Sequence, residues 1–172
     1  RALPAIRSSV PNALYVIVGG GEEMPRLKGL TRELRLEDAV QFRSEISDDQ
    51  LVNCYQQCEL FALPNRRVGS DIEGFGMVLV EAQACGKPIL AGMSGGTAET
   101  MQVDSTGLLA DCNEPAQIAS TIVSLLADEK RRSQMGSAAR DWVQSQFAWD
   151  AVYQRACEIF VEAHCRAIQA NK

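Results

Sequence analysis

The sequence predicts an α/β fold, in which helices flank a Rossmann-like parallel sheet and an all-helical tail follows from about residue 114. Short β-rich runs alternate with amphipathic stretches up to that point. Loops that contain glycine follow three of these runs, after Val18, Leu63 and Ala91. Strands that alternate with helices form right-handed βαβ units around a parallel sheet, which binds ligands where such loops meet helix N-termini. From Glu114 onward, the apolar pattern is entirely helical.

The predicted elements follow one another without repeats, low-complexity tracts or internal linkers. Strands are expected where short β-rich runs are bounded by turn residues, and the runs are 14–18, 40–42, 60–63, 89–91 and 106–110. Helices are expected over 1–9 (a helix end), 24–34, 47–57 and 77–85, with a short one that begins at Gly95. Ser47, followed by Asp48 and Asp49, has the character of an N-cap with an acidic first turn.

Length and composition indicate one soluble globular domain. The chain has 172 residues, of which 46% are hydrophobic and 23% are charged. Its net charge of −5 argues against general nucleic-acid binding, which requires a strongly basic face. No apolar run approaches the roughly 20 residues that span a bilayer. Because the chain opens on Arg1 without an initiator Met or a signal peptide, we interpret it as a piece of a longer cytoplasmic polypeptide.

The six cysteines are expected to be buried or half-buried free thiols in a reducing cytosol. They stand at positions 54, 58, 85, 112, 157 and 165, and none forms a CxxC pair. A zinc site normally shows tighter pairing with a histidine nearby. The single histidine, His164, lies in the last predicted helix, where we expect a solvated or packing role. Cys85 is expected to be a small core residue and not a nucleophile.

The segment with the most chemical information is Glu-Gly-Phe-Gly-Met-Val-Leu-Val-Glu, residues 73–81. Its two glutamates, Glu73 and Glu81, flank a predicted helix start near Gly76. The first amides of a helix lack intrahelical acceptors and carry partial positive charge, so this end suits a phosphate. A diphospho-sugar has phosphates in its middle and hydroxyls at both ends, which two flanking carboxylates match. The alternative is structural, because glutamates near a helix start are common for dipole reasons alone.

Six segments in the same order resemble one protein family, and they are 16–21, 40–42, 59–64, 73–88, 94–99 and 106–109. The resemblance is to the carboxyl-terminal domain of the retaining group 1 glycosyltransferases (family four), and it covers about 14–147. It implies one half of the two-domain GT-B fold, with 1–172 as a single nucleotide-sugar-binding domain. Within the family, the long loop 64–73 looks most like that of the phosphatidylinositol mannosyltransferases.

The resemblance implies a role for each candidate residue. Glu73 resembles the first glutamate of the family motif, which contacts the transferred sugar at the catalytic centre, and Glu81 resembles the second, which holds the ribose hydroxyls. Ile46 and Asp48 fall where family members contact the base, and Gly20 matches a glycine turn at the pocket edge. Four consecutive residues match the segment that contacts the diphosphate and lines the pocket: Phe75, Gly76, Met77 and Val78.

The resemblance also implies what lies outside this sequence. The family's phosphate-binding Arg and Lys, and its amino-terminal acceptor domain, belong upstream of Arg1. The intact enzyme is expected to transfer a hexosyl group from a nucleoside diphosphate sugar to an acceptor hydroxyl, while this half alone binds the donor. No cofactor or metal is expected, although Asp71 and Glu73 have the spacing of a DxD motif. Peripheral contact of the intact enzyme with a membrane stays open.

Two alternative functions are compatible with parts of this pattern. A non-catalytic nucleotide- or sugar-binding regulatory module would have no acceptor domain encoded upstream. A non-phosphorylating epimerase shares the two-domain fold, but it would place His and Arg side chains where this chain has glycine-rich turns. The sequence identifies neither the base, nor the sugar, nor the acceptor.

Overall fold

The computed structural model describes residues 1–170, with side chains through Arg166. The strands are β1 (Tyr15–Val18), β2 (Val40–Arg43), β3 (Phe61–Leu63), β4 (Ile89–Gly92) and β5 (Gly107–Ala110). The helices are α1 (Leu3–Ser9), α2 (Met24–Glu33), α3 (Asp48–Gln57), α4 (Met77–Ala84), α5 (Pro115–Ala127), α6 (Glu129–Phe147) and α7 (Trp149–Ala170). A short 3₁₀-helix, Gly95–Thr100, follows β4. Each strand and helix predicted from the sequence is present, with bounds that differ by one or two residues.

All strand pairs are parallel, but they form two ladders instead of the single sheet that the sequence predicts. β1 pairs with β2, and β4 lies between β3 and β5. Because no described strand pairs with both β1 and β3, each of these two strands keeps one free edge. The side chains of Tyr15 and Val18 on β1 are exposed. The Rossmann-like parallel architecture is therefore confirmed, while the division of the sheet differs from the prediction.

The start of α3 confirms the predicted N-cap. Ser47 Oγ accepts a hydrogen bond from the backbone amide of Gln50 (3.3 Å), and Gln50 Oε1 accepts one from the amide of Ser47 (2.9 Å). This reciprocal pair is a capping box. Asp48 and Asp49 occupy the first turn, where carboxylates interact favourably with the helix dipole. The cap fixes the start of α3 directly after the loop that contains Ile46.

β4 is the central strand of the larger sheet and is buried on both faces. Because side chains alternate along a strand, Ile89 and Leu90 point in opposite directions. Ile89 belongs to a cluster with Tyr55 of α3 and Leu79 of α4. Leu90 belongs to a second cluster with Leu125 of α5. Helices therefore cover both faces of the strand, as expected for a parallel sheet whose central strands are continuously apolar.

The tail predicted to be helical from about residue 114 consists of α5, α6 and α7, and residues 171–172 lie outside the described residues. α6 packs closely on the end of α4, since a Cβ at Gly136 would lie 2.2 Å from the carbonyl oxygen of Gly86. α7 leaves aromatic side chains in solvent, and Trp149 is 87% exposed. His164 on α7 is exposed too. No helix in the described part of the chain combines the length and apolarity needed to cross a bilayer.

The cysteines differ in exposure more than the sequence predicts. Cys112 is buried, and Cys54, Cys58 and Cys85 are half-buried. Cys157 and Cys165 are exposed, so the expectation of burial is wrong for these two, because they lie on the exposed helix α7. Burial raises the pKa of the thiols of Cys58, Cys85 and Cys112. A raised pKa lowers the thiolate fraction, which agrees with a packing role for Cys85.

We predict that Gly136→Ala destabilises the fold and that the matched change Gly29→Ala does not. Both glycines lie inside helices, where alanine is intrinsically favoured by about 1 kcal/mol. A Cβ at Gly29 would meet nothing within 4 Å, whereas a Cβ at Gly136 would meet backbone. The free energy of unfolding, measured with urea, should fall by about 1–3 kcal/mol for Gly136→Ala. Equal changes in the two variants would contradict the close packing of α6 on α4.

We also predict that the unfolded, unreduced protein titrates six free thiols. In the folded protein, Cys157 and Cys165 should be alkylated first and Cys112 last, because exposure controls access and burial disfavours the thiolate. Mass spectrometry after timed alkylation measures both the total and the order. A total below six, or early labelling of Cys112, would refute this description of the thiols.

Candidate functional site

The start of α4 forms an anion-binding geometry. Gly76 is the N-cap residue and has a left-handed conformation (φ 85°, ψ 60°), which glycine adopts without steric cost. In the described chain, no hydrogen bond satisfies the backbone amides of Met77 and Val78. The side chain of Met77 is 60% exposed, so this helix end faces solvent. Free amides at the positive end of a helix dipole are suitable donors for a phosphate.

The loop before α4 is held by the glycines that follow β4. The amide of Gly96 donates to the carbonyl oxygens of Glu73 (3.3 Å) and Gly74 (3.1 Å). A Cβ at Gly95 would lie 1.7 Å from the carbonyl oxygen of Glu73, and a Cβ at Gly96 would lie 2.3 Å from that of Gly74. Glycine is therefore required at both positions, because the two backbones are in direct contact. This contact fixes the position of the Glu73 backbone before α4.

Asn65 connects the same two loops, and it is a site residue that the motifs of the sequence did not predict. Its Nδ2 donates to the carbonyl oxygen of Ser94 (3.1 Å), and its Oδ1 accepts from the amide of Gly92 (2.8 Å). A Cβ at Gly92 would lie 1.7 Å from the carbonyl oxygen of Asn65. The position of Asn65 directly after Pro64, at the carboxyl end of a strand, is the signal that could have indicated this role.

The two glutamates of the motif have different surroundings. Glu73 precedes α4 and is half-buried. Glu81 is the fifth residue of α4 and is exposed, and its Oε2 accepts a hydrogen bond from the hydroxyl of Tyr55 (2.8 Å). Tyr55 lies on α3 and is itself buried. Along the chain, Glu73 thus precedes the free amides of Met77 and Val78, and Glu81 follows them by about one helical turn.

Phe75 links the motif to the helical tail. Its ring makes an edge-to-face contact with Phe147 at the end of α6, with 5.8 Å between centroids. Phe147 makes a second contact of this kind with Trp142, at 5.2 Å. Such pairs contribute about 0.5–1.5 kcal/mol beyond the burial of their area. The tail therefore supports the backbone from which α4 begins.

The residue expected at the pocket edge follows the carboxyl end of β1, and the two residues expected near the base follow the carboxyl end of β2. Gly20 lies in the turn after β1, and Ile46 and Asp48 lie between β2 and the first turn of α3. Ile46 is half-buried, whereas Gly20 and Asp48 are exposed. An open cavity of about 570 Å³ next to Gly20 is also lined by Lys28 and Phe42. This cavity shares no lining residue with the segment 73–81.

The loop between β3 and α4 has no cluster of metal ligands. Val68 and Asp71 close a tight turn through two mutual backbone hydrogen bonds of 3.0 and 2.9 Å. Arg66 and Arg67 are exposed, and Arg67 Nε donates to the carbonyl oxygen of Gly69 in its own loop. Among the described residues, no group of three His, Cys, Asp or Glu side chains is placed to hold a metal ion.

Known proteins that are similar in sequence to this chain are named as glycosyltransferases. The chain matches the family described as "Glycosyl transferases group 1" over residues 1–142. It is 40% identical over 153 residues to a GDP-mannose-dependent α-(1-6)-phosphatidylinositol monomannoside mannosyltransferase of Mycobacterium tuberculosis, covering 88% of this chain and 40% of that protein. The protein of the same name from Mycolicibacterium smegmatis is 36% identical over 161 residues, covering 92% and 42%. The chain thus spans about two fifths of the length of these relatives.

Solved structures share the fold. Sucrose-phosphate synthase from Thermosynechococcus elongatus has a TM-score of 0.80 and 29% identity, over 96% of this chain and 42% of that one. HepE from Anabaena, in complex with UDP, has a TM-score of 0.73 and 25% identity, over 92% and 44%. The Rossmann-like unit with its helical tail is therefore less than half of each of these larger proteins. Since the family match covers most of the sequence and a relative is 40% identical, this chain belongs to the group 1 glycosyltransferase family.

Proposed function

We propose that this chain is the donor-binding half of a retaining glycosyltransferase, which moves a hexosyl group from a nucleoside diphosphate sugar to an acceptor hydroxyl. The observation that carries the proposal is the start of α4, where the free amides of Met77 and Val78 lie between Glu73 and Glu81. Amides of this kind bind phosphate oxygens, and carboxylates accept hydrogen bonds from hydroxyls. A nucleoside diphosphate sugar carries hydroxyls on the transferred sugar, phosphates in its middle and hydroxyls on its ribose. This order matches that of Glu73, the free amides and Glu81 along the chain.

GDP-mannose is the donor that we propose. The mycobacterial relatives are named GDP-mannose-dependent mannosyltransferases, and their names give a phosphatidylinositol mannoside as the acceptor. Because this chain spans about two fifths of those relatives, we assign acceptor binding to residues outside the 172 of this sequence. The intact protein would then act on the cytoplasmic side of a membrane, in peripheral contact with its lipid acceptor.

In this proposal, each part of the site has one task. The amides of Met77 and Val78, with the dipole of α4, stabilise the negative charge that grows on the leaving diphosphate, a task assigned to them and not to a metal ion. Glu73 holds hydroxyls of the transferred sugar, and Glu81 holds the ribose. Two fixed contacts orient the anomeric carbon towards the acceptor. The remaining donor-binding residues have supporting tasks: Ile46 and Asp48 hold the base, Gly20 forms the turn at the pocket edge, and Phe75 and Gly76 shape the turn before α4.

A regulatory module that binds nucleotide without catalysis has less support. The mycobacterial relatives are named as mannosyltransferases, and one of the similar solved structures is a sucrose-phosphate synthase. The 172 residues alone are expected to bind donor without turnover, because we assign acceptor binding to residues outside this sequence.

We predict that alanine variants of the two glutamates differ by ligand. Glu81→Ala should weaken the binding of both GDP and GDP-mannose, because both carry ribose. Glu73→Ala should weaken the binding of GDP-mannose and leave the binding of GDP nearly unchanged. A hydrogen bond to a charged acceptor contributes about 1.5–3 kcal/mol, so each loss should be roughly 10- to 100-fold in Kd. Chemical-shift titration at millimolar ligand measures the affinities.

Glu158→Ala is the matched control, since Glu158 is an exposed glutamate on α7. All three variants must melt like the parent, because a glutamate near a helix start also contributes up to about 1 kcal/mol to helix stability. If folded Glu73→Ala and Glu81→Ala bind both ligands as the control does, the pair is structural and the proposed site is wrong.

A further inference from the structure

Tyr55 is a buried side chain whose polar end reaches the candidate site. It is 6% exposed and lies on α3, and its hydroxyl donates to Glu81 Oε2 at 2.8 Å. Its ring makes an edge-to-face contact with Phe61 at the start of β3, with 5.4 Å between centroids. It also belongs to the core cluster of Leu79 and Ile89. The ring is thus held on several sides while its hydroxyl reaches a partly open surface.

The partner of this hydroxyl is a flexible and exposed group. Glu81 has three side-chain torsions, and an exposed carboxylate samples several rotamers. Tyr55 has two torsions, both restricted by burial, so its hydroxyl is a fixed point. A hydrogen bond to a carboxylate is shorter and stronger than one between neutral groups. The contact therefore selects one orientation of the Glu81 carboxylate.

The contact leaves acceptor capacity free. A carboxylate offers about four acceptor sites, and Tyr55 occupies one of them on Oε2. Burial raises the pKa of Tyr55 well above its usual value, and the hydrogen bond to Glu81 raises it further. The phenol therefore stays protonated and donates across the physiological pH range. The other oxygen of Glu81, Oε1, is available to hydroxyls that arrive from solvent.

We propose that Tyr55 is a positioning residue, which holds the carboxylate of Glu81 in the orientation that accepts the ribose hydroxyls of the donor nucleotide. The inference rests on the proposed function, since it assigns the ribose to Glu81. Tyr55 itself touches no ligand in this arrangement. Its effect on binding passes through the 2.8 Å contact alone, so it should depend on whether the nucleotide carries ribose hydroxyls.

The test compares GDP with 2′,3′-dideoxy-GDP, which lacks the two hydroxyls, on the 172-residue chain. Affinities are measured by chemical-shift titration for the parent, Tyr55→Phe, Glu81→Ala and the double variant. Tyr153→Phe, at an exposed tyrosine on α7, is the matched control. The parent should prefer GDP by roughly 10- to 100-fold, and Glu81→Ala should abolish the preference. Tyr55→Phe should reduce the preference by roughly 3- to 10-fold, with the affinity for the dideoxy nucleotide unchanged.

The ratio of the two affinities separates positioning from a loss of fold, because partial unfolding weakens both ligands equally. If Tyr55→Phe keeps the parent's preference for GDP over the dideoxy nucleotide, or weakens the binding of both nucleotides alike, the positioning role is wrong and the proposed function stands. An effect of Tyr55→Phe that persists in the Glu81→Ala background also overturns the inference. If the parent itself binds both nucleotides equally, the assignment of ribose to Glu81 fails, and the role of Tyr55 fails with it.

Discussion

The candidate site depends on a contact between two loop backbones that leaves no room for side chains. The loop after β4 lies against the loop before α4, and glycine at positions 95 and 96 is what allows the approach. Asn65 adds hydrogen bonds from the end of β3 to the end of β4. Two loops that are far apart in sequence are thus held together by backbone contact and hydrogen bonds. The positions of Glu73 and the first turn of α4 depend on this contact.

The central strand β4 carries this support and connects it to the rest of the fold. On one face, Ile89 packs with Tyr55 and Leu79, which brings α3 and α4 together and places a tyrosine hydroxyl on Glu81. On the other face, the helical tail covers the sheet. The tail also contacts the motif directly through Phe75 and Phe147. Stability and site geometry therefore share the same residues.

Local patterns in the sequence predicted the elements and the motif, and contacts between distant residues were not predictable. The capping box at Ser47 and the apolar run of β4 are short-range signals, because dipole, cap and periodicity act within a turn or a strand. The Tyr55–Glu81 pair is separated by 26 residues, and the packing of Gly95 on Glu73 involves backbones of different loops. Neither contact produces a periodic pattern of residues in the sequence. The division of the strands into two sheets and the exposure of α7 were not predictable for the same reason. Both depend on how elements that are distant in sequence pack against one another.

We expect a nucleoside diphosphate to bind at the start of α4, and the decisive measurement is a GDP titration of the 172-residue chain in which amide chemical shifts are mapped. The amides of Met77 and Val78 should shift most, since they have no acceptor in the described chain. Smaller shifts should occur at Ile46, near the base. Shifts that centre on the cavity of Lys28 and Phe42, with the amides of Met77 and Val78 unchanged, would show that the nucleotide does not bind at the start of α4.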